Sequence, residues 1–285
     1  NGDIFSACLD GSIQRHSAAG KLIWQRKLDD ELRAAPLPGA ACLFVAGASG
    51  KIYKIRQSDG LVAQKSDLRV PVFSSPVWDR QRKNLLLPVK DRLLLSINQQ
   101  LQVTWRFKTA GVNFSVPAVT PKNEIYVTSM DHHLYKIDGD GRLLWKFKTK
   151  GWLMSSPVID GEGRVYISGY DRHVYALDAR GKLLWRYEAL ASLNATAVLD
   201  AGGRVYCGDT SGTVYALHHD GKLSWSYKSE DFITTGLTIL PGRRVLLAGS
   251  IDGSLLAFQI DEPMSRKAWW AKYLGNLANS GFDEQ

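Results

Sequence analysis

Residues 131–185 read DHHLYKIDGDGRLLWKFKTKGWLMSSPVIDGEGRVYISGYDRHVYALDARGKLLW, and the end of this stretch repeats its beginning after 40 residues. Asp131 falls on Asp171, Tyr135 on Tyr175, Asp138 on Asp178, Gly141 on Gly181 and Trp145 on Trp185. Self-similarity at this period, punctuated by glycine and aromatics, marks a repeat protein whose unit is one small sheet. The period runs on in both directions. SGTVYALHHDGKLSW ends on Trp225, and IDGSLLAFQI leads to Trp269 and Trp270. Before it, DRLLLSINQQLQVTW ends on Trp105, SGKIYKIRQSDGLVAQ puts Gln64 in the Trp position, and DGSIQRHSAAGKLIW ends on Trp24. Seven copies fill the 285 residues, so 1–285 is expected to be a single domain.

Each copy divides into four short segments. From Trp152 onward LMSSPVID is followed by a GEG turn, RVYISG, a loop at Tyr170 and Asp171, RHVYALD, an ARG turn and KLLWRY. Pairs such as Val165, Ile167 and Val174, Ala176 match period-2 strands, and Gly-containing turns suit tight hairpins. Four strands per repeat, here named A to D in chain order, make a propeller blade. The expected fold is all-β, a seven-bladed β-propeller of four-stranded antiparallel blades. In LLWKF, strand alternation sets Leu143, Trp145 and Phe147 against Leu144 and Lys146, which places the Trp between blades. The second blade, with Gln64 there, is expected to be the loosest. Residues 3–28 supply B, C and D strands with no A strand before them. In the closing AKYLGNLANSGFDEQ, Asn276–Phe282 lies where the next A strand belongs, so the first blade is expected to be closed by the C-terminal strand.

A composition of 45% hydrophobic and 22% charged residues belongs to a globular chain, not a disordered one. No apolar run approaches the roughly 20 residues of a spanning helix, so no transmembrane segment is expected. The sequence opens at Asn1 without Met, which leaves a periplasmic, extracellular or cytoplasmic location open. Cys8, Cys42 and Cys207 are odd in number and unrelated in the repeat, and read as buried strand thiols. The net charge of +8 collects at Arg26, Lys27, Arg106, Lys108, Lys146, Lys148, Arg186, Lys228 and Lys272, in last strands of blades. Lysine on an outer edge guards against edge-to-edge pairing. Phe107 and Phe147 alternate with these cations on the opposite side of the strand, and with no stacked aromatics among the exposed lysines no nucleic acid partner is expected.

With VYALD (174–178), GKLLW (181–185) and SSPV (155–158), the repeat resembles the PQQ-like repeat of quinoprotein-type propellers across essentially the whole chain. The closing AWWAKYLGNLANSGF resembles the segment that commonly opens such domains. The resemblance implies the propeller fold. It is less informative about function, because that family holds cofactor-dependent dehydrogenases and many non-catalytic scaffolds, outer-membrane assembly lipoproteins among them. Its dehydrogenases typically use eight blades, an adjacent Cys pair, a Trp beneath the quinone and a calcium ion. Seven repeats and three scattered cysteines depart from that pattern, so no PQQ and no other cofactor is expected.

Other motifs read as structure. His132-His133 and His218-His219 could hold a metal, yet neighbours on a strand face opposite ways, and no metal is expected. Asp138-Gly139-Asp140-Gly141 opens like a calcium loop and continues RLLW, which suits a β-turn. Ser74-Ser75-Pro76 and Ser155-Ser156-Pro157 suit crowded inner strands, and no catalytic serine motif surrounds them.

Loops joining D to A and B to C project onto one face, and positions that do not repeat are where function concentrates. The D–A loops place Arg33, Phe73, Phe114, Trp152, Met154, Asn194, Phe232 and Asn276 there. The B–C loops add Lys90, Met130, His132, Tyr170, Arg172, Asp209 and Ile251. Aromatic and Arg residues are usual anchors of binding surfaces. The expected binding residues are therefore Phe73, Phe114, Met130, His132, Trp152, Met154, Tyr170, Arg172, Asn194 and Phe232, although several could instead plug a central channel. The leading functional reading is a non-catalytic scaffold that binds a protein or extended ligand on this face, alone or as one domain of a larger protein. The alternative is a propeller enzyme, either a quinoprotein dehydrogenase or a lyase or hydrolase with a site at the channel mouth.

Overall fold

Asp-led turns set the strand ends. Asp138 Oδ1 accepts from the Asp140 and Arg142 N–H groups at 2.9 and 2.8 Å, and Asp178 does the same for Arg180 and Lys182. Gly141 and Gly181 close these turns at φ of 80° and 84°, where a side chain would strain the backbone. The DGDG segment is thus a hairpin turn, its first carboxylate occupied by turn N–H groups.

A computed structural model describes residues 2–79, 81, 83–233, 236–265 and 267–268. Among them the strands form seven antiparallel sheets, each a simple meander. The first contains Ile4–Ala7, Ser12–His16 and Leu22–Lys27; the second Leu37–Pro38, Cys42–Ala46, Lys51–Arg56 and Val62–Asp67. The third contains Val77–Trp78, Leu85–Val89, Leu93–Ile97 and Val103–Lys108; the fourth Ala118–Val119, Ile125–Thr128, His133–Ile137 and Leu143–Lys148. The fifth contains Val158–Ile159, Val165–Ser168, His173–Leu177 and Leu183–Glu188; the sixth Val198–Leu199, Val205–Gly208, Thr213–Leu217 and Leu223–Lys228. The seventh contains Thr238–Ile239, Val245–Gly249 and Leu255–Gln259. Among the described residues no helix is long and apolar enough to cross a membrane. The chain divides into two compact units, Asn1–Phe114 with three sheets and Ser115–Gln285 with four.

Within the described residues the first sheet has no A strand and the seventh no D strand. Asn276–Phe282, expected to supply the first, and Trp269 and Trp270, expected to mark the last strand of the seventh, lie outside the described residues. After Gln259 the chain leaves the seventh sheet and runs beside the A–B turn of the sixth. Met264 bridges to Asp200, the Ala201 N–H donates to Pro263 O at 2.8 Å, and the Ser265 N–H donates to Leu199 O at 3.0 Å.

Burial corrects the expected alternation. Val165–Ser168 and Val174–Leu177 are buried at every position, because central strands are covered on both faces. Period-2 alternation survives in D strands such as Leu143–Lys148, where Trp145 and Phe147 are half-buried and Lys146 and Lys148 exposed, and in Val245–Gly249 and Leu255–Gln259 of the seventh sheet. A bulge between Lys136 and Ile137 pairs them with Trp145 and Leu143, skipping Leu144. Leu143 therefore does not follow Trp145 inward, and both leucines are exposed. The cysteines divide: Cys207 is buried, which pushes its thiol up, whereas Cys42 is half-buried and Cys8 exposed in a turn.

The D-strand Trp ties neighbouring sheets. Trp24 Nε1 donates to Gln57 O at 2.8 Å, Trp145 Nε1 to Ala179 O at 3.2 Å and Trp185 Nε1 to His219 O at 2.8 Å. Each acceptor lies in the C–D turn of the following sheet. Gln64 Nε2 donates to Gln100 O at 2.7 Å, so the second sheet keeps the bond and loses the ring. Turn glycines lie against these indoles. A Cβ on Gly221, at φ 85°, would stand 2.6 Å from Trp185 Cδ2. Gly221→Ala is expected to cost about 2 kcal/mol, from a left-handed alanine plus displacement of the indole, as read by thermal unfolding.

Hydroxyls form a second tie. Ser156 Oγ accepts the Val116 N–H at 2.9 Å and Thr196 Oγ1 the Ser156 N–H at 3.1 Å; in the first unit Ser75 Oγ accepts the Ala35 N–H at 2.8 Å. The SSP serines thus satisfy buried N–H groups at the entrances to neighbouring A strands.

Candidate functional site

Backbone hydrogen bonds bring the D–A and B–C loops to the same end of each sheet. In the second unit the Tyr170 N–H donates to Trp152 O at 2.9 Å, Thr210 to Ser192 O at 2.9 Å and Ile251 to Phe232 O at 3.1 Å. In the first unit Ala48 donates to Glu31 O and Lys90 to Pro71 O, at 2.8 and 2.9 Å. The shared loop face expected from the strand order is therefore present within each unit.

Half-buried carboxylates stiffen the B–C turns. Asp171 Oδ2 accepts from the Lys150 N–H at 2.8 Å and Tyr175 Oη at 2.6 Å, and Asp131 Oδ2 accepts from Tyr135 Oη at 2.7 Å. His133 and His173 turn Nδ1 onto Asp131 O and Asp171 O at 2.9 and 2.7 Å, so these rings brace the turn. One position of every B–C turn is left-handed. Glycine fills it at Gly11, Gly50, Gly212 and Gly253, whereas Arg92, His132 and Arg172 hold φ of 63°, 71° and 66°. Glycine adopts this conformation freely; Arg does so at a cost of about 1 kcal/mol.

The predicted residues fare unequally. Trp152 is 47% exposed and stacks at a tilt with Tyr170, ring centroids 5.8 Å apart. Phe232 and Ile251, joined through their backbones, are exposed on the same face of the second unit. Met130, His132, Met154 and Asn194 are half-buried in these loops, and the buried Asn194 Oδ1 has no hydrogen-bond partner among the described residues. Arg172 is exposed and paired with Glu188 at 2.7 Å. In the first unit Phe73 and Phe114 are exposed, and the Arg33 guanidinium sits 5.6 Å above the Phe73 ring. Asn276 lies outside the described residues.

Asp209 is not a surface residue: it is fully buried beneath the loops. Leu190 was not expected, yet at 72% exposure it extends the apolar surface. Lys150 and Glu230 hold its place in the adjoining repeats, so an apolar residue among charged equivalents was the available signal. The face of the second unit thus presents Trp152, Leu190, Phe232 and Ile251 on turns held by backbone and carboxylate hydrogen bonds. Such a surface offers large contact area at low ordering cost, which suits adhesion to a protein.

The chain resembles known proteins over most of its length. The BamB crystal structure from Moraxella catarrhalis superposes with a TM-score of 0.76 at 20% identity, covering 90% of this chain and 82% of that one. The computationally designed Ika8 protein superposes with a TM-score of 0.77 at 14% identity, covering 91% and 81%. These likenesses establish the fold, a β-propeller. No curated protein sequence matches the chain. A family model described as outer membrane protein assembly factor BamB matches residues 9–115 and 91–271. The chain therefore belongs to that family of PQQ-like repeat β-propellers.

Proposed function

We propose that this chain is a non-catalytic scaffold, one propeller domain that docks a protein partner on the face formed by its D–A and B–C loops. The observation that carries this reading is the exposed group Trp152, Leu190, Phe232 and Ile251, on loops joined by backbone hydrogen bonds. Its family is described as an outer membrane protein assembly factor, which favours a protein as ligand. Met130, His132, Met154, Tyr170, Arg172 and Asn194 complete the proposed surface of the second unit, and Phe73 and Phe114 carry the same reading for the loop face of the first.

A photo-crosslinking amino acid at Phe232 is expected to trap one protein partner in cells, while the same group at Lys146, on an outer strand, traps none. Trp152→Ala should reduce the Phe232 adduct about tenfold, as loss of a central aromatic anchor does. Equal yields from Phe232 and Lys146, or an adduct indifferent to Trp152→Ala, would remove the assigned face.

A further inference from the structure

In the first unit, Lys90, Asp91, Arg92, Leu93, Lys108 and Val112 line an open cavity of about 440 Å³. It lies where the third sheet's B–C turn meets the end of its D strand. Leu93 pairs with Lys108, and the Thr109 N–H donates to Arg92 O at 2.9 Å. Three cations face one acid here. Lys90, Arg92 and Lys108 all stand outside the ion pairs of the described residues, and Arg92 makes one long bond, to Ala110 O at 3.4 Å.

The repeat supplies an internal comparison. In the fifth sheet Arg172 and Glu188 occupy the positions that Arg92 and Lys108 occupy in the third. Their strand pairing is the same, His173 with Glu188 and Leu93 with Lys108. There the arginine takes up a carboxylate from its own sheet, at 2.7 Å. In the third sheet a lysine replaces that carboxylate, leaving two cations facing the cavity. Arg92 also keeps a strained left-handed backbone at φ 63°, where glycine serves in four other sheets. Strain of this kind persists where the side chain is needed.

We propose that this groove binds the carboxylates of an extended, acidic peptide segment of a protein partner. The proposal rests on the loop-face reading above and gives the partner's chemistry. The fifth sheet shows that a carboxylate fits an arginine so placed. The groove is larger than one carboxylate, Leu93 and Val112 give it apolar walls, and Asp91 opposes a doubly charged phosphate. Lys90 is bonded to Pro71 in the loop that carries the exposed Phe73, so an acidic residue here would lie near an aromatic contact. A net charge of +8 draws such a segment in.

The test is fluorescence anisotropy of a labelled deca-glutamate peptide with the full chain at low ionic strength. Lys108→Glu should recreate the internal pair seen at Arg172–Glu188, fill the groove and weaken the peptide at least tenfold. Arg92→Gly removes the guanidinium while keeping the turn, and should weaken it about tenfold. Both variants should melt near the wild-type temperature, and Lys146→Glu, the same charge reversal on an exposed outer-strand lysine, should bind the peptide as wild type does. Absence of wild-type binding, or equal binding by wild type, Lys108→Glu and Arg92→Gly, overturns the proposal. Displacement of the peptide by equimolar inorganic phosphate overturns it in favour of a simple anion site. If the peptide behaves as expected while Phe232 traps no partner, the docking face fails and the groove stands. If the Phe232 adduct forms while Lys108→Glu leaves peptide affinity unchanged, the groove fails and the face stands.

Discussion

Replacing Trp24 by alanine is expected to lower the unfolding free energy by about 3–5 kcal/mol, the range for deleting a large buried aromatic. The indole is 7% exposed, in the cluster that holds Ile13, Leu43, Tyr53 and Ile55. Its Nε1 bonds Gln57 O, and a Cβ on Gly60 would lie 2.7 Å from its ring, so the space it leaves is bordered by backbone that cannot close in. Guanidinium titration should show an earlier midpoint at unchanged slope. Gln64→Ala removes the second sheet's counterpart, an exposed side chain with one hydrogen bond, and should cost only about 1 kcal/mol. Comparable losses in the two variants would mean that the ring adds nothing to the bond.

Asp209→Asn should cost about 3 kcal/mol and change the acid limb of stability. Asp209 Oδ1 accepts from the Ser211 N–H at 2.9 Å, Ser211 Oγ at 2.6 Å and the Thr213 N–H at 2.9 Å. Its Oδ2 accepts from the Ala191 N–H at 3.1 Å and Tyr215 Oη at 2.7 Å. An amide nitrogen in place of either oxygen would face donors with a donor, leaving buried groups unsatisfied at about 1–3 kcal/mol each. Burial raises the carboxyl's pKa, but the bonds from Ser211, Thr213 and Tyr215 outweigh it and hold the group below the ordinary carboxylate value. The unfolded chain therefore binds this proton first as pH falls. The contribution is complete above the unfolded pKa of about 4 and fades as pH drops through the lower folded value. Between pH 7 and 2 wild type should lose this increment and Asp209→Asn should not. Parallel stability curves for the two would show that Asp209 is not the group responsible.

The repeat was legible because its strongest signals are local. Gly141, Gly181 and Gly221 mark turns, and Trp145, Trp185 and Trp225 mark outer strands whatever surrounds them. What escaped depends on neighbours. Val165–Ser168 looked half-buried because alternation cannot report a second sheet covering the other face. Ser156 and Thr196 looked like small fillers, since their bonds reach a backbone N–H one repeat away. Asp209 was placed on the binding face by its loop position, but at two residues ahead of Ser211 its carboxylate turns inward to Tyr215. Trp152 and Tyr170 stand out because both break the repeat, whereas Leu190, which breaks it as well, lies two residues before the loop position that Trp152 occupies and so escapes a reading confined to the loop centres. The left-handed turn position hid itself by carrying Gly in some copies and Arg or His in others.

The indole bonds end on main-chain carbonyls, those of Gln57, Ala179 and His219, three positions with unrelated side chains. A module that fastens to its successor through the peptide group makes no demand on the side chain at the accepting position, and asks only for the turn glycine beside it. Copies that keep the indole and the turn glycine could be duplicated or exchanged while their other turn residues drift, and this freedom lets one rim of such a protein evolve toward new ligands while its interior architecture stays put.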